Sequence, residues 1–176
     1  MPEQTNAAPE GYTTVAPWVV TDDTGAFLDF VTQAFRGEER GRVSTEDGLI
    51  GHGEIRIGDT VVLAFDRHAD WPHIPSLLRV FIADADQAFS RAVAAAAMSS
   101  PSGERRLRTA RGRVKDPFGN IWWVVSSVED VSEDEMWRRL QDPVYAEVMR
   151  TAQETLDAEL SGRRVGLSSA PVKTTS

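Results

Sequence analysis

The chain has 176 residues, a formal charge of -8, a pI near 4.9 and 41% hydrophobic residues. That length suits one domain or two small fused modules, and the acidic balance argues against a nucleic-acid partner held by a basic surface. Cysteine does not occur, which excludes disulfides, thiolate metal sites and cysteine nucleophiles and fits a cytoplasmic location.

Residues 1–10, within "MPEQTNAAPEG", lack the basic and apolar regions of a secretory signal and read as a short polar lead-in. No apolar run approaches the ~18 residues of a membrane span, so no membrane partner is expected. A first module is expected over residues 11–66. Tyr12–Val20 is β-branched and aromatic and predicts a strand, with Pro17 suited to an edge or a bulge. Asp22, Asp23 or Thr24 can cap a helix in which Phe27, Phe30, Val31, Ala34 and Phe35 recur at helical spacing. Strands are predicted at Glu39–Ser44, Leu49–Ile57 and Thr60–Phe65, with Gly58-Asp59 turning the last two into a hairpin. The loop at residues 67–76, within "DRHADWPHIPS", carries Trp71, His68 and His73 and reads as a surface loop, or as one that covers a cavity mouth with Trp71 as its cap.

The same order returns over residues 77–127. Leu77–Ala83 is strand-like, and Asp84 or Asp86 starts an Ala-rich helix through Ala97. "MSSPSGERRLRT" holds at most a short strand, and Ala110–Lys115 with Asn120–Ser127 make a hairpin around "DPFGN". Beyond it, residues 132–161 form a helical extension. Ser132 and Glu135 have capping-box spacing, and after Asp142-Pro143 an amphipathic helix carries Val144, Val148, Ala152 and Leu156 at steps of four. Residues 162–176, rich in Ser, Thr and Gly, read as a disordered tail.

Paired β-α-β-β-β modules with "DPFGN" before the last strand resemble the vicinal oxygen chelate superfamily, the fold of glyoxalase I, bleomycin-resistance proteins and extradiol dioxygenases. The stretches "GYTTVAPWVV", "FLDFVTQAF", "DGLIGHGEIRIGDTVVLAFD", "RVFIADADQAFSRAV", "VKDPFGNIWW" and "VEDVSEDEMWRR" look most like its PhnB-like branch and cover about residues 11–139. The resemblance implies an α+β fold. Its two βαβββ modules form a curled mixed sheet, a half-barrel with helices on the convex side and ligand on the concave side. It also implies a homodimer, often with the cavity made by modules of both chains.

Alternation along the strands then sorts side chains by face. His52, Glu54 and Arg56 fall on the concave face of one strand, and Leu77, Arg79 and Phe81 on that of another. The family pattern places Trp123 toward the cavity and Trp122 under the helices. Metal-binding members of the superfamily use His, Glu or Gln from concave strands, one of them the carboxylate of "DP-x-GN-x-x-E". Carried over by position, that carboxylate's place is Trp123, its counterpart in the first module is Leu63, and the starting strands would contribute from around Thr14 and Arg79. Trp, Leu and Arg cannot ligate a divalent ion and Thr alone is a poor site. No cofactor is therefore expected, and metal-dependent isomerisation, dioxygenation and thiol transfer are disfavoured together.

Trp123 is either a stacking wall for a planar ligand or a bulky filler. Trp18 either lines the pocket or plugs the sheet edge. His52 and Glu54, two apart on one strand, lie ~6.5 Å apart along it and can orient each other or share a ligand proton. Otherwise His52 is a solvated rim residue. Arg79, Arg111 and Arg113 either favour an anionic ligand or pair with this protein's carboxylates. The basic run "GERRLRTARGR" reads as a solvated loop. The leading expectation is a metal-independent protein that sequesters an aromatic or polycyclic small molecule through Trp18, His52, Glu54, Arg56, Leu63, Arg79, Phe81 and Trp123. The alternatives are an enzyme of the same fold with His52 and Glu54 as acid and base, or a metal enzyme whose ligands a one-residue slip has hidden.

Overall fold

The structure is a computed structural model that describes residues 8–9, 11–99, 111–126 and 132–161. Residues 100–109 of the stretch read as holding at most a short strand, the lead-in at 1–7 and the tail at 162–176 lie outside the described residues. The elements run β1 (Trp18–Thr21), α1 (Thr24–Phe35), β2 (Glu38–Ser44), β3 (Ile50–Ile57), β4 (Thr60–Asp66), β5 (Leu77–Phe81), α2 (Ala85–Ser99), β6 (Arg111–Lys115), β7 (Ile121–Val125), α3 (Glu133–Leu140) and α4 (Pro143–Leu160). Residues 1–128 form one compact unit and 129–176 a second.

The fold is α+β, with two open sheets and helices on one face of each. The first sheet has the order β1-β4-β3-β2, with β1 parallel to β4; the second has the order β5-β7-β6, with β5 parallel to β7. One expected boundary moves. The strand predicted at Tyr12–Val20 begins only at Trp18. Pro17 has no N–H to donate, but its carbonyl accepts from the Leu63 N–H at 2.9 Å, so the ladder starts there.

Asp23 is the residue that caps α1, its Oδ1 accepting from the Ala26 N–H at 2.9 Å. Asp66, at the end of β4, adds a second tie: its two carboxylate oxygens accept the Thr24 and Ile50 N–H groups at 2.6 and 2.7 Å. Asp84 caps α2 in the same way as Asp23, accepting from the Gln87 N–H at 2.8 Å. In the second unit, Ser132 accepts the Glu135 N–H at 3.3 Å and opens α3 as its spacing predicts.

One buried cluster joins both modules. It takes Val19, Ile55, Val62 and Ala64 from the first sheet, Phe27, Leu28 and Val31 from α1, Ala88 and Ala92 from α2, and Val80, Val114, Trp122 and Val124 from the second sheet. α1 packs on α2 and on the first sheet. Its Phe27, Phe30 and Phe35 rings also meet Trp122 at centroid distances of 6.3, 6.5 and 4.7 Å. The helix therefore lies between the two sheets, and each sheet keeps an outer face turned away from the shared core. Two glycines permit the close approach. A Cβ at Gly53 would meet Thr24 at 3.1 Å under α1, and one at Gly112 would meet the Phe89 ring at 2.4 Å under α2.

Candidate functional site

On the outer face of the first sheet, Trp18 is the register partner of Leu63, and Leu63 of Glu54. These three side chains form a row across β1, β4 and β3. His52 stands two residues before Glu54 on β3, with Nε2 2.8 Å from Glu54 Oε1 and its ring 5.6 Å from that of Trp18. Arg56, further along β3, pairs with Glu38 of β2 and so sits at the rim. Leu63 is only 7% exposed and contributes support more than open surface.

A residue from outside the strands completes this cluster. Tyr12 stands beside Glu54, and the Arg40 guanidinium lies 5.2 Å from the Tyr12 ring centre and 3.9 Å from the Glu54 carboxylate. Between Pro17 at β4 and Tyr12 beside β2, the segment from residue 11 to 17 thus crosses the sheet's outer face. The His52 hydrogen bond, then the adjacent Tyr12 hydroxyl, holds the Glu54 carboxyl below the ordinary carboxylate range, against a smaller opposing effect of burial. The neighbouring Glu54 carboxylate raises the Tyr12 phenol, because losing its proton would set two anions together.

The outer face of the second sheet carries a different row. Arg79, Trp123 and Arg113 are register partners across β5, β7 and β6, and the Arg113 guanidinium lies 5.7 Å from the Trp123 ring centre. Leu77 and Phe81 flank Arg79 and are 51% and 69% exposed. The Arg111 side chain lies outside the described residues. Alternation thus sorts the expected residues as predicted: Trp122 is 1% exposed in the core while Trp123 is on the outer face. The structure gathers Trp18, His52, Glu54, Arg56 and Leu63 on one face and Arg79, Phe81 and Trp123 on another, and does not bring the two groups together within the chain.

Beside His52 a groove of about 380 Å³ opens, lined by Trp18, Leu49, Ile50, Phe65, Asp66 and Trp71 among others. Phe65 stands at 63° to Trp18 and 87° to Trp71, with centroids 5.3 and 6.0 Å away. The loop between the modules therefore does reach a cavity mouth, where Trp71 also packs on His68 at 4.7 Å. His73 has a different role: its Nε2 lies 2.7 Å from the Phe118 carbonyl oxygen and ties the loop to the β6–β7 turn.

Residues 12–124 match the model of the Glyoxalase/Bleomycin resistance protein/Dioxygenase superfamily. The chain belongs to that superfamily. An uncharacterized protein of Mycobacterium bovis is 31% identical over 137 residues, 69% of this chain and 88% of that one. The fosfomycin resistance protein FosX of Listeria monocytogenes superposes with a TM-score of 0.53 at 10% identity, over 74% of this chain and 98% of that one. The Pseudomonas aeruginosa protein PA1353 gives a TM-score of 0.51 at 16% identity, over 65% and 98%. These two likenesses are of fold.

The metal-binding positions that the superfamily resemblance implies can now be placed by geometry. Counting back five residues from the equivalent caps Asp23 and Asp84 gives Trp18 and Arg79, whose register partners are Leu63 and Trp123. The first-strand position is therefore Trp18 and not Thr14, which precedes β1. Two indoles, an isobutyl group and a guanidinium offer no lone pair to a divalent ion, so this set does not fit a metal. Among the described residues no group of three or more His, Asp or Glu side chains gathers elsewhere that could hold one. Sequence reasoning missed Tyr12, Arg40 and Phe65. Of these only Phe65 was within reach, because it shares Leu63's face by alternation.

Proposed function

We propose that the chain is a metal-independent small-molecule binding protein of glyoxalase and bleomycin-resistance type, in its PhnB-like branch. It sequesters an aromatic or polycyclic ligand on the outer face of the first sheet. The observation that carries this is the content of the four register-paired positions, Trp18 with Leu63 and Arg79 with Trp123. Aromatic and apolar groups with a few oriented polar ones suit retention of an organic molecule. Beside them, the Glu54 carboxylate and the His52 ring provide directional hydrogen-bonding groups. The same geometry supports a homodimer as part of this proposal: each outer face exposes large apolar side chains, Trp18 at 49% on one and Phe81 at 69% on the other. In this reading the second sheet of one copy closes over the first sheet of its partner. Titrating metal-free protein with planar natural products tests it. Quenching of tryptophan emission that is lost in Trp18→Phe is expected; stoichiometric Zn, Ni, Mn or Fe in the purified protein, required for binding, contradicts it.

A second reading rests on the hydrogen bond between His52 and Glu54. Such a pair suits acid–base chemistry on an oxygenated substrate, as in a lyase or isomerase of this fold. His52→Ala would then abolish a measured turnover while leaving the folded state intact.

A further inference from the structure

We infer that the groove beside His52 is a binding site for an organic ammonium group, a tertiary or quaternary amine carried by the ligand. This rests on the binding-protein reading above and names the ligand's charge class. Five rings run in unbroken contact, from His52 through Trp18, Phe65 and Trp71 to His68. Phe65 meets both indole rings at steep angles and all three rings line the groove, so this corner of it is walled by aromatic side chains. Trp18 and Trp71 remain 49% and 42% exposed, so the corner is open.

Charge around the groove agrees. Asp66 and His68 are among its lining residues, and among the described residues of the same chain no Lys or Arg lines it. Both Asp66 oxygens are already engaged by backbone N–H groups, so Asp66 contributes field and not a direct ion pair. Arg67, the cation of the adjoining loop, is held by Asp22 at 2.7 Å and by the Trp71 carbonyl at 2.5 Å. The chain as a whole carries -8. An anion would meet this field and these ring faces unfavourably, whereas a soft cation gains from both.

The test uses the full-length protein with three probes of similar size: choline, its neutral isostere 3,3-dimethylbutan-1-ol, and 3,3-dimethylbutanoate. Binding is followed by the indole N–H resonances of Trp18 and Trp71 in ¹⁵N-labelled protein. Choline is expected to bind about tenfold tighter than the neutral isostere, and Trp71→Ala to remove most of that preference. Trp71→Phe, which keeps a π face, is expected to retain it. Equal binding of choline and the alcohol, tighter binding of the carboxylate, or an unchanged preference in Trp71→Ala overturns the inference and leaves the binding-protein reading standing. If no probe of any charge and no planar compound shifts Trp18, both fail.

Discussion

Arg79 and Trp123 stand side by side in the parallel ladder of β5 and β7, on a face that points away from the core shared by the two sheets. The equivalent couple in the first module, Trp18 and Leu63, lies on the other outer face. The two register couples therefore belong to different sides of one chain. If a pocket combines them, a second copy supplies the missing half. Trp18→Ala and Trp123→Ala are each expected to lose ligand binding. Mixing the two variants under subunit exchange is expected to restore about a quarter of the sites, because each mixed dimer regains one intact pocket. Recovery of none places the pocket within one chain.

Glu54 gives a prediction in acid. Its carboxyl titrates below the ordinary value of 4.5, first because of the His52 hydrogen bond. A depressed native pKa means that the unfolded chain binds the proton more tightly. The stabilisation is present above about 4.5 and is lost as pH falls through the native value. Chemical denaturation at pH 7 and pH 3 should therefore show a smaller pH-dependent loss in Glu54→Gln than in the unmodified protein. An identical loss in both proteins contradicts the proposed hydrogen-bonding role.

Asp116 is buried at 4% exposure and accepts four N–H groups, from Phe118 and Asn120 of the backbone, the Asn120 amide and the Trp122 indole, at 2.8–3.0 Å. This network fixes the turn that starts β7 and seats Trp122 against α1. Asp116→Ala leaves these donors buried without a partner, at a cost of about 2–4 kcal/mol. Calorimetry should show a Tm lower by roughly 5–15 °C. Burial also raises the Asp116 pKa above 3.8 despite those donors. Its contribution to stability therefore falls as pH rises from the unfolded value through the native one, a slope that the variant should lack.

Much of this was legible in the chain. Alternation alone separates Trp122 from Trp123, because successive strand residues point to opposite faces. Asp84 was readable, beside Asp86, as one of two possible caps from its place before an Ala-rich run. Tyr12 was not legible as a site residue, since its partner Glu54 is 42 positions away and the segment between Tyr12 and Pro17 is held by contacts, not by a pattern. Thr14 was misplaced for a related reason. The strand-like composition begins at Tyr12, but the hydrogen-bonded ladder begins only at the Pro17 carbonyl. Periodicity also states which face a side chain takes and never what lies opposite, so the separation of the two rows required the contact between α1 and Trp122.

Gly112 offers a test of the helix-to-sheet spacing. A methyl group there would lie 2.4 Å from the Phe89 ring, well inside contact distance. Gly112→Ala is expected to cost about 1–3 kcal/mol through overpacking, read as a lower denaturation midpoint with an unchanged slope. No change in midpoint would show that α2 does not pack on β6 as described.

Retention of an organic ligand at Trp18 without a metal is tested by a fluorescence titration of chelator-treated protein against planar, amine-bearing natural products, beside Trp18→Phe. Saturable quenching, unaffected by the chelator and weakened about tenfold or more in Trp18→Phe, is the predicted result. Binding that appears only after a divalent metal is restored, or that Trp18→Phe leaves unchanged, contradicts it.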